Sequence, residues 1–327
     1  MKTWLAAYLY CAEDTWNTFL AGKVSELVDE VFRKKLANQY FFIRYWERGP
    51  HIRLRFWGDA ETLNKKLKPF LDKYFRDHFK KDPSKRTDPE WLSKLPEDQR
   101  WFPNDTVRYI EYEPETDRYG GKVGMLIGER QFQASSEAVL AVMKESTDWN
   151  YDRAHGTAIQ MHLGFAAALN MNLEELKHFC SLVYSGWFPR AYSYDPNRSP
   201  EDTKKIQEVI LKAFEDNFLK QQPTLLPYHQ TIWNALRENV EFEQDWFNKW
   251  VGDMKRIYKE LSTAQKKNKL IFPKWFGVNK KIKVPASSQK RWAILESYVH
   301  MTNNRLGIQN RDEAYLGYII TNCVKEM

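Results

Sequence analysis

Residues 40–57 read YFFIRYWERGPHIRLRFW, and their reading decides the fold of the N-terminal region. Two apolar-rich runs flank a Gly49-Pro50 pair, the pattern of two short strands joined by a tight turn. Side chains alternate across a strand with period two. The second run therefore sets His51, Arg53 and Arg55 on one face and Ile52, Leu54 and Phe56 on the other. The polar face has two readings. It is either an ordinary solvated strand surface or a clamp, in which two parallel guanidiniums offer planar forks of donors to a carboxylate.

Working outward, residues 4–11 are strand-like, and Asp14 and Thr15 can cap a helix carrying Phe19, Val24, Leu27, Val28 and Val31 at helical spacing. Asp59 caps a second amphipathic helix over 63–79, with Leu67, Phe70, Leu71 and Tyr74 on one side. Residues 80–104 are charged, contain proline and read as loop; 107–113 return as a strand. The succession strand, helix, strand, strand, helix, strand predicts a ferredoxin-like layer. Beyond Gly121 the spacing turns helical, over 123–144, 152–170, 173–184, 203–218, 231–261, 289–299 and 312–324. The lysine-rich, proline-punctuated stretch 266–288 reads as a surface loop. The expectation is an α+β chain forming a single domain, α+β over 1–120 and mainly helical over 121–327.

The composition fits a globular chain of 327 residues with 43% hydrophobic and 28% charged residues. Thirteen tryptophans lift the aromatic share to 15%, so the core and any cleft are ring-rich. The net charge of +7 suits an acidic partner, but its basic runs at 64–68, 80–86 and 274–283 are too scattered to point to direct nucleic-acid binding. Cys11, Cys180 and Cys323 lie far apart, form no metal-spaced pair and read as free thiols of a reducing cytosol. The apolar start, MKTWLAAYLYCAEDTW, runs directly into Glu13 and Asp14 and reads as a strand, not a secretion signal. No stretch has the length and apolarity to span a bilayer.

Two further constellations carry reactive groups. In 113–121, EPETDRYGG, Glu115 and Arg118 stand three apart before Gly120-Gly121, whose backbone freedom permits a sharp turn. Taken alone the pair is equally a structural salt bridge. In 298–307, YVHMTNNRLG, His300 and Arg305 sit near the end of a helix that Asn303 and Asn304 would terminate. A lone histidine is more often a satisfied core residue than a catalyst.

The ordered set GPHIRLRFWG, YEPETDRYGG and VHMTNNRLG resembles one family, the C-terminal elimination domain of class I lanthipeptide dehydratases, found also as a stand-alone thiopeptide-type bacteriocin biosynthesis protein. ERQFQASSEAVLAVM, 129–143, resembles the family's helix after the glycine pair, so the likeness covers most of the chain. It implies a lyase acting on a ribosomally made precursor peptide. A separate tRNA-dependent subunit would glutamylate Ser or Thr; this chain would then eliminate glutamate to leave dehydroalanine or dehydrobutyrine. The resemblance puts Arg53 and Arg55 on the glutamyl carboxylates and Arg118 on enolate or carboxylate charge. It puts Glu115 beside Arg118 to orient it, makes His300 the general acid/base, and leaves His51 and Arg305 as supporting substrate contacts. It implies no metal and no organic cofactor. It implies a chain without the long N-terminal region of a full-length dehydratase, and allows a homodimer. Two other uses stay open: a pyridine synthase that joins two dehydroalanines by formal [4+2] cycloaddition and releases the leader peptide, and a non-catalytic peptide-binding subunit.

Overall fold

The computed structural model describes residues 1–192, 195, 197–273 and 277–327. Its contacts divide the chain into two units, Met1–Pro114 with Phe132–Trp149, and Glu115–Gln131 with Asn150–Met327. The sequence pattern puts the change of architecture at Gly121. The contacts differ because helix α5 (Gly121–Glu145) begins in the second unit while its later turns complete the first. There Phe132 meets Phe41 edge to face with ring centroids 5.3 Å apart, and Ser136 Oγ accepts the Phe42 backbone N–H at 3.2 Å.

In the first unit, strands β1 (Lys2–Tyr10), β2 (Gln39–Tyr45), β3 (His51–Asp59) and β4 (Thr106–Tyr109) form a fully antiparallel sheet in the order β2-β3-β1-β4. This is the ferredoxin-like arrangement that the order of elements implies. The apolar side chains Ile52, Leu54 and Phe56 are fully buried, each burial stabilising by roughly 1.5–3 kcal/mol. Helices α2 (Ser25–Arg33) and α4 (Lys68–Lys81) cover their face. Tyr109, opposite Ala7 and so on the Leu54 side, donates its hydroxyl to Asp72 of α4 at 2.8 Å. Phe32 of α2 meets Tyr40 at 5.6 Å.

Of three local expectations, two need correction and one holds. Asp14 and Thr15 do not cap. Residues Glu13–Thr15 form one 3₁₀ turn, Thr15 Oγ1 donates to the Ala12 carbonyl at 2.7 Å, and α1 (Trp16–Phe19) runs through a π-turn at Leu20–Val24 into α2. Asp59 does cap, accepting the Thr62 backbone N–H at 3.0 Å ahead of α3 (Ala60–Thr62), which continues through a second π-turn, Leu63–Leu67, into α4. Strand β4 ends at Tyr109, short of the expected 113, because only residues 106–109 have partners on β1.

The second unit adds α6 (Tyr151–Ala168), α7 (Leu173–Trp187), α8 (Pro200–Arg237), α9 (Asp245–Lys266), α10 (Ala286–Leu306) and α11 (Asn310–Lys325). Helix α8 runs through Pro223 and Pro227, where the sequence suggests a break. The two prolines stand four apart and share one side of the helix, which confines the lost backbone bonds to that side. The expected helix over 231–261 is instead two helices. Asn239, at φ +56°, stops α8 with the Val240 N–H reaching back to the Ala235 carbonyl at 2.9 Å. Helix α10 passes Asn303 and Asn304 and ends at Gly307, φ +84°. In the lysine-rich stretch 266–288, and in the basic run 274–283, positions 274–276 lie outside the described residues.

Cys11, Cys180 and Cys323 are free and buried, and burial raises each thiol to about 12. Among the described residues no helix is long and apolar enough to cross a membrane, and no three His, Cys, Asp or Glu side chains group to hold a metal.

Candidate functional site

Each unit assembles one polar cluster. The first grows from the β3 register. His51 pairs with Tyr10 and Tyr45, Arg53 with Tyr8 and Ile43, Arg55 with Ala6 and Phe41, so the polar face of β3 is walled by rings from both neighbouring strands. The Arg53 guanidinium lies 3.6 Å from the Tyr45 ring centroid and 4.6 Å from that of Tyr8. Its Nε donates to His51 Nε2 at 3.0 Å and its Nη2 to Glu47 Oε2 at 2.7 Å. His51 Nδ1 donates to the Gly49 carbonyl at 2.7 Å, which fixes the tautomer and leaves Nε2 as the acceptor for Arg53. Burial first, then the neighbouring arginines, pull His51 down to about 4, so it is neutral at physiological pH. Arg55 is buried, 4.3 Å from the Tyr112 ring and 5.3 Å from Phe41, and its Nε has no hydrogen-bond partner among the described residues. The strand thus presents two fixed cations, one of them already holding a carboxylate.

The second cluster is built on α10. The segment ahead of α5 turns sharply at Gly120 and Gly121, φ +87° and +80°. A side chain at Gly120 would sit 2.6 Å from Ile294 Cδ1, so the turn needs glycine for space as well as for φ. The turn presents Arg118 to α10, where its Nε donates to Ser297 Oγ at 2.9 Å. The expected partner Glu115 stands farther off, 3.8 Å from Nη1 and exposed, so Ser297 is the firmer anchor. His300 lies one turn along the same side of α10.

His300 Nδ1 donates to Glu313 Oε1 at 2.8 Å, and Asn303 Nδ2 donates to Glu313 Oε2 at 3.1 Å. Asn303 Oδ1 in turn accepts from His162 Nε2 at 2.8 Å. Glu313 is fully buried, and burial raises its carboxyl although His300 and Asn303 pull the other way. Trp187 stacks on the His300 ring at 4.3 Å and donates its Nε1 to Glu296 Oε1 at 2.7 Å. With Nδ1 committed, His300 keeps Nε2 for proton transfer, on a side chain 16% exposed. A small cavity of about 20 Å³ lies behind it, lined by His162, Asn303 and Glu313 together with apolar side chains of α7 and α11.

Of the residues expected from sequence, His51, Arg53 and Arg55 share one cluster, and Arg118, Glu115 and His300 share the other. Arg305 is fully buried in the last turn of α10, where its Nη1 donates to the Met301 carbonyl at 2.7 Å, and it has no surface to offer a ligand. Sequence reasoning passed over Glu47, Ser297, Trp187 and Glu313. Ser297, three residues before His300, was legible as a same-face neighbour on a helix. Glu313 was legible only once Gly307 was read as the stop after which α11 begins and carries Glu313 to His300 and Asn303.

Comparison with known proteins adds the following. The model of the family described as lantibiotic biosynthesis dehydratase C-term matches residues 4–324. The subtilin biosynthesis protein SpaB of Bacillus subtilis is 30% identical over 142 residues, 42% of this chain and 11% of that protein. The chain thus spans only a small part of that relative's length. Among solved structures, the pyridine synthase TbtD from thiomuracin biosynthesis superposes with a TM-score of 0.73 at 14% identity, covering 99% of this chain and 98% of that one. TsrL gives 0.67 at 14% identity over 100% and 95%. The tRNA-dependent lantibiotic dehydratase MibB of Microbispora sp. 107891 gives 0.59 at 18% identity over 99% and 28%. At these identities the likeness speaks to the fold.

Proposed function

Because the chain belongs to the lantibiotic biosynthesis dehydratase C-terminal family, we propose that it is a glutamate-elimination enzyme acting on O-glutamyl Ser or Thr of a precursor peptide. The observation that carries this reading is the Arg118–Ser297 hydrogen bond at 2.9 Å, one helical turn from His300. It brings a fixed cation to the same side of α10 as an oriented imidazole. β-Elimination needs both: a base for the α-proton and positive charge for the enolate oxygen that forms as the proton leaves.

In this reading His300 Nε2 takes the α-proton. Glu313 accepts from Nδ1 and stabilises the imidazolium as it forms. Arg118 stabilises the enolate. The Cβ–O bond then breaks and the pair of electrons departs on the glutamate carboxylate. Arg53 and Arg55 grip the glutamyl group, and the Arg53–Glu47 contact at 2.7 Å supports carboxylate binding there. His51 holds Arg53 in place, Glu115 adds negative charge beside Arg118, and Arg305 braces the end of α10. Glutamylation falls to a separate tRNA-dependent protein, and the precursor peptide is the substrate both act on.

The test is mass spectrometry of a synthetic peptide bearing one O-glutamyl serine, incubated with this protein and with its His300→Ala variant. Loss of glutamate to give dehydroalanine, strongly slowed in the variant, is the expected result. An unchanged ester removes the eliminase reading. A peptide carrying two dehydroalanines then decides between the pyridine synthase, which closes the ring, and the binding subunit, which leaves it intact.

A further inference from the structure

Arg53 is held on every side. Two tyrosine rings cover its faces, His51 takes its Nε–H, and Glu47 takes a hydrogen from Nη2. Three of these partners lie on strands of the sheet. Glu47 does not. It belongs to the turn between β2 and β3, where Arg48 and Gly49 both have positive φ, +57° and +105°. Its side chain is 68% exposed while that of Arg53 is 13% exposed. An exposed carboxylate paired with a nearly buried, pre-stacked guanidinium contributes little to folding. It does fill the open edge of a fork whose geometry matches a carboxylate.

The chemistry of the substrate gives that contact a meaning. Aminoacyl groups leave tRNA through their α-carboxyl. A serine so glutamylated is an α-ester, and its free anionic end is a CH₂–CH₂–COO⁻ group. Glu47 presents the same group to Arg53.

Resting on the eliminase reading above, we propose that Glu47 is an internal occupant of the position Arg53 offers to the side-chain carboxylate of the esterified glutamate. It holds the guanidinium between Tyr8 and Tyr45 when no substrate is bound, and the incoming glutamyl group displaces it. Two consequences follow. The clamp needs no reorganisation on binding, because its geometry is already that of a carboxylate complex. Each binding event must also break one ion pair, so weak carboxylate ligands are held off by a competitor built into the turn.

The test uses the full chain and its Glu47→Gln and Glu47→Ala variants, with two probes: the O-glutamyl-serine peptide for KM, and glutarate for Kd by calorimetry. Both variants should lower KM and the glutarate Kd by about two- to fivefold, the range an exposed ion pair supports. The gain should vanish when Arg53→Met is added, since the competitor then has nothing to occupy. Unchanged or weaker binding in both variants, a gain that persists without Arg53, or no glutarate binding by any form overturns the proposal. The two failures are distinguishable. If wild type leaves the ester intact, the eliminase reading falls by the first probe, and glutarate alone decides whether Glu47 competes for an anion at Arg53.

Discussion

The arginine face of β3 and the histidine of α10 solve the same problem of fixing a polar side chain, in opposite ways. On β3 the fixing is done by rings: Arg53 and Arg55 lie against Tyr8, Tyr45, Tyr112 and Phe41, and the counter-charge, Glu47, is exposed. On α10 the counter-charge is the most buried member. Glu313 sits beneath His300, satisfied by two donors and backed by His162 through Asn303. Aromatic faces hold a cation firmly without specifying a partner, which suits a site that must accept and release an anion. A buried hydrogen-bonded carboxylate specifies one orientation and one tautomer, which suits a group that must move a proton the same way each time.

Removing the histidine tests the larger half of this contrast. His300→Ala should slow elimination by about 10²–10⁴-fold, the usual contribution of a positioned acid/base, with glutamylated peptide accumulating in the mass spectrum. Glu313→Ala should be the most destabilising single change at either cluster. It strands the His300 and Asn303 donors in a buried place and should cost about 2–4 kcal/mol by urea denaturation. Removing the exposed Glu47 should cost under about 1 kcal/mol in the same assay. Equal losses would break the contrast between buried and exposed counter-charge.

Acid sharpens it differently. His51 and His162 are each pulled down to about 4 by burial. Each remains neutral in the folded chain while the unfolded chain takes up protons below pH 6.5. Stability should therefore fall as pH drops from 6.5 toward 4, by on the order of 1–3 kcal/mol per histidine. Glu313 works the other way. Its carboxyl is raised, so its contribution is largest at low pH and is lost as pH rises through its folded value. Denaturation across pH 4–7 should show a Glu313→Gln variant losing more stability on acidification than the parent. A change at the second guanidinium should read out in binding: Arg55→Lys should raise KM by about tenfold, because an ammonium keeps the charge but not the planar stack on Tyr112.

How far the sequence carries differs between the two clusters. The alternation in 51–56 already assigns every side chain of β3 to its face, because strand period is a local property. The positions of Arg53 and Arg55 were therefore legible, but the rings beside them come from β1, β2 and a segment beyond β4, set by a register that only the folded sheet defines. The helical cluster was harder. Asn303 and Asn304 read as helix terminators, yet one bonds Glu313 inside the unit and the helix ends three residues later at Gly307. Moving that stop changes where α11 begins and hides Glu313 from any reading by spacing. The prolines of α8 and Asn239 misled in opposite directions: the helix continues past two exposed prolines where local chemistry argued for a break, and a single left-handed residue broke a helix where apolar spacing continued.

The three cysteines have a practical consequence. Each is buried and its thiol is held at about 12, so at neutral pH almost none is present as the reactive thiolate. The native chain is therefore a silent background for thiol chemistry. A cysteine introduced at the exposed Trp46 and another at the exposed Val209 would be the sites a maleimide finds. One lies in each unit, so each unit could carry its own dye without the removal of a native cysteine.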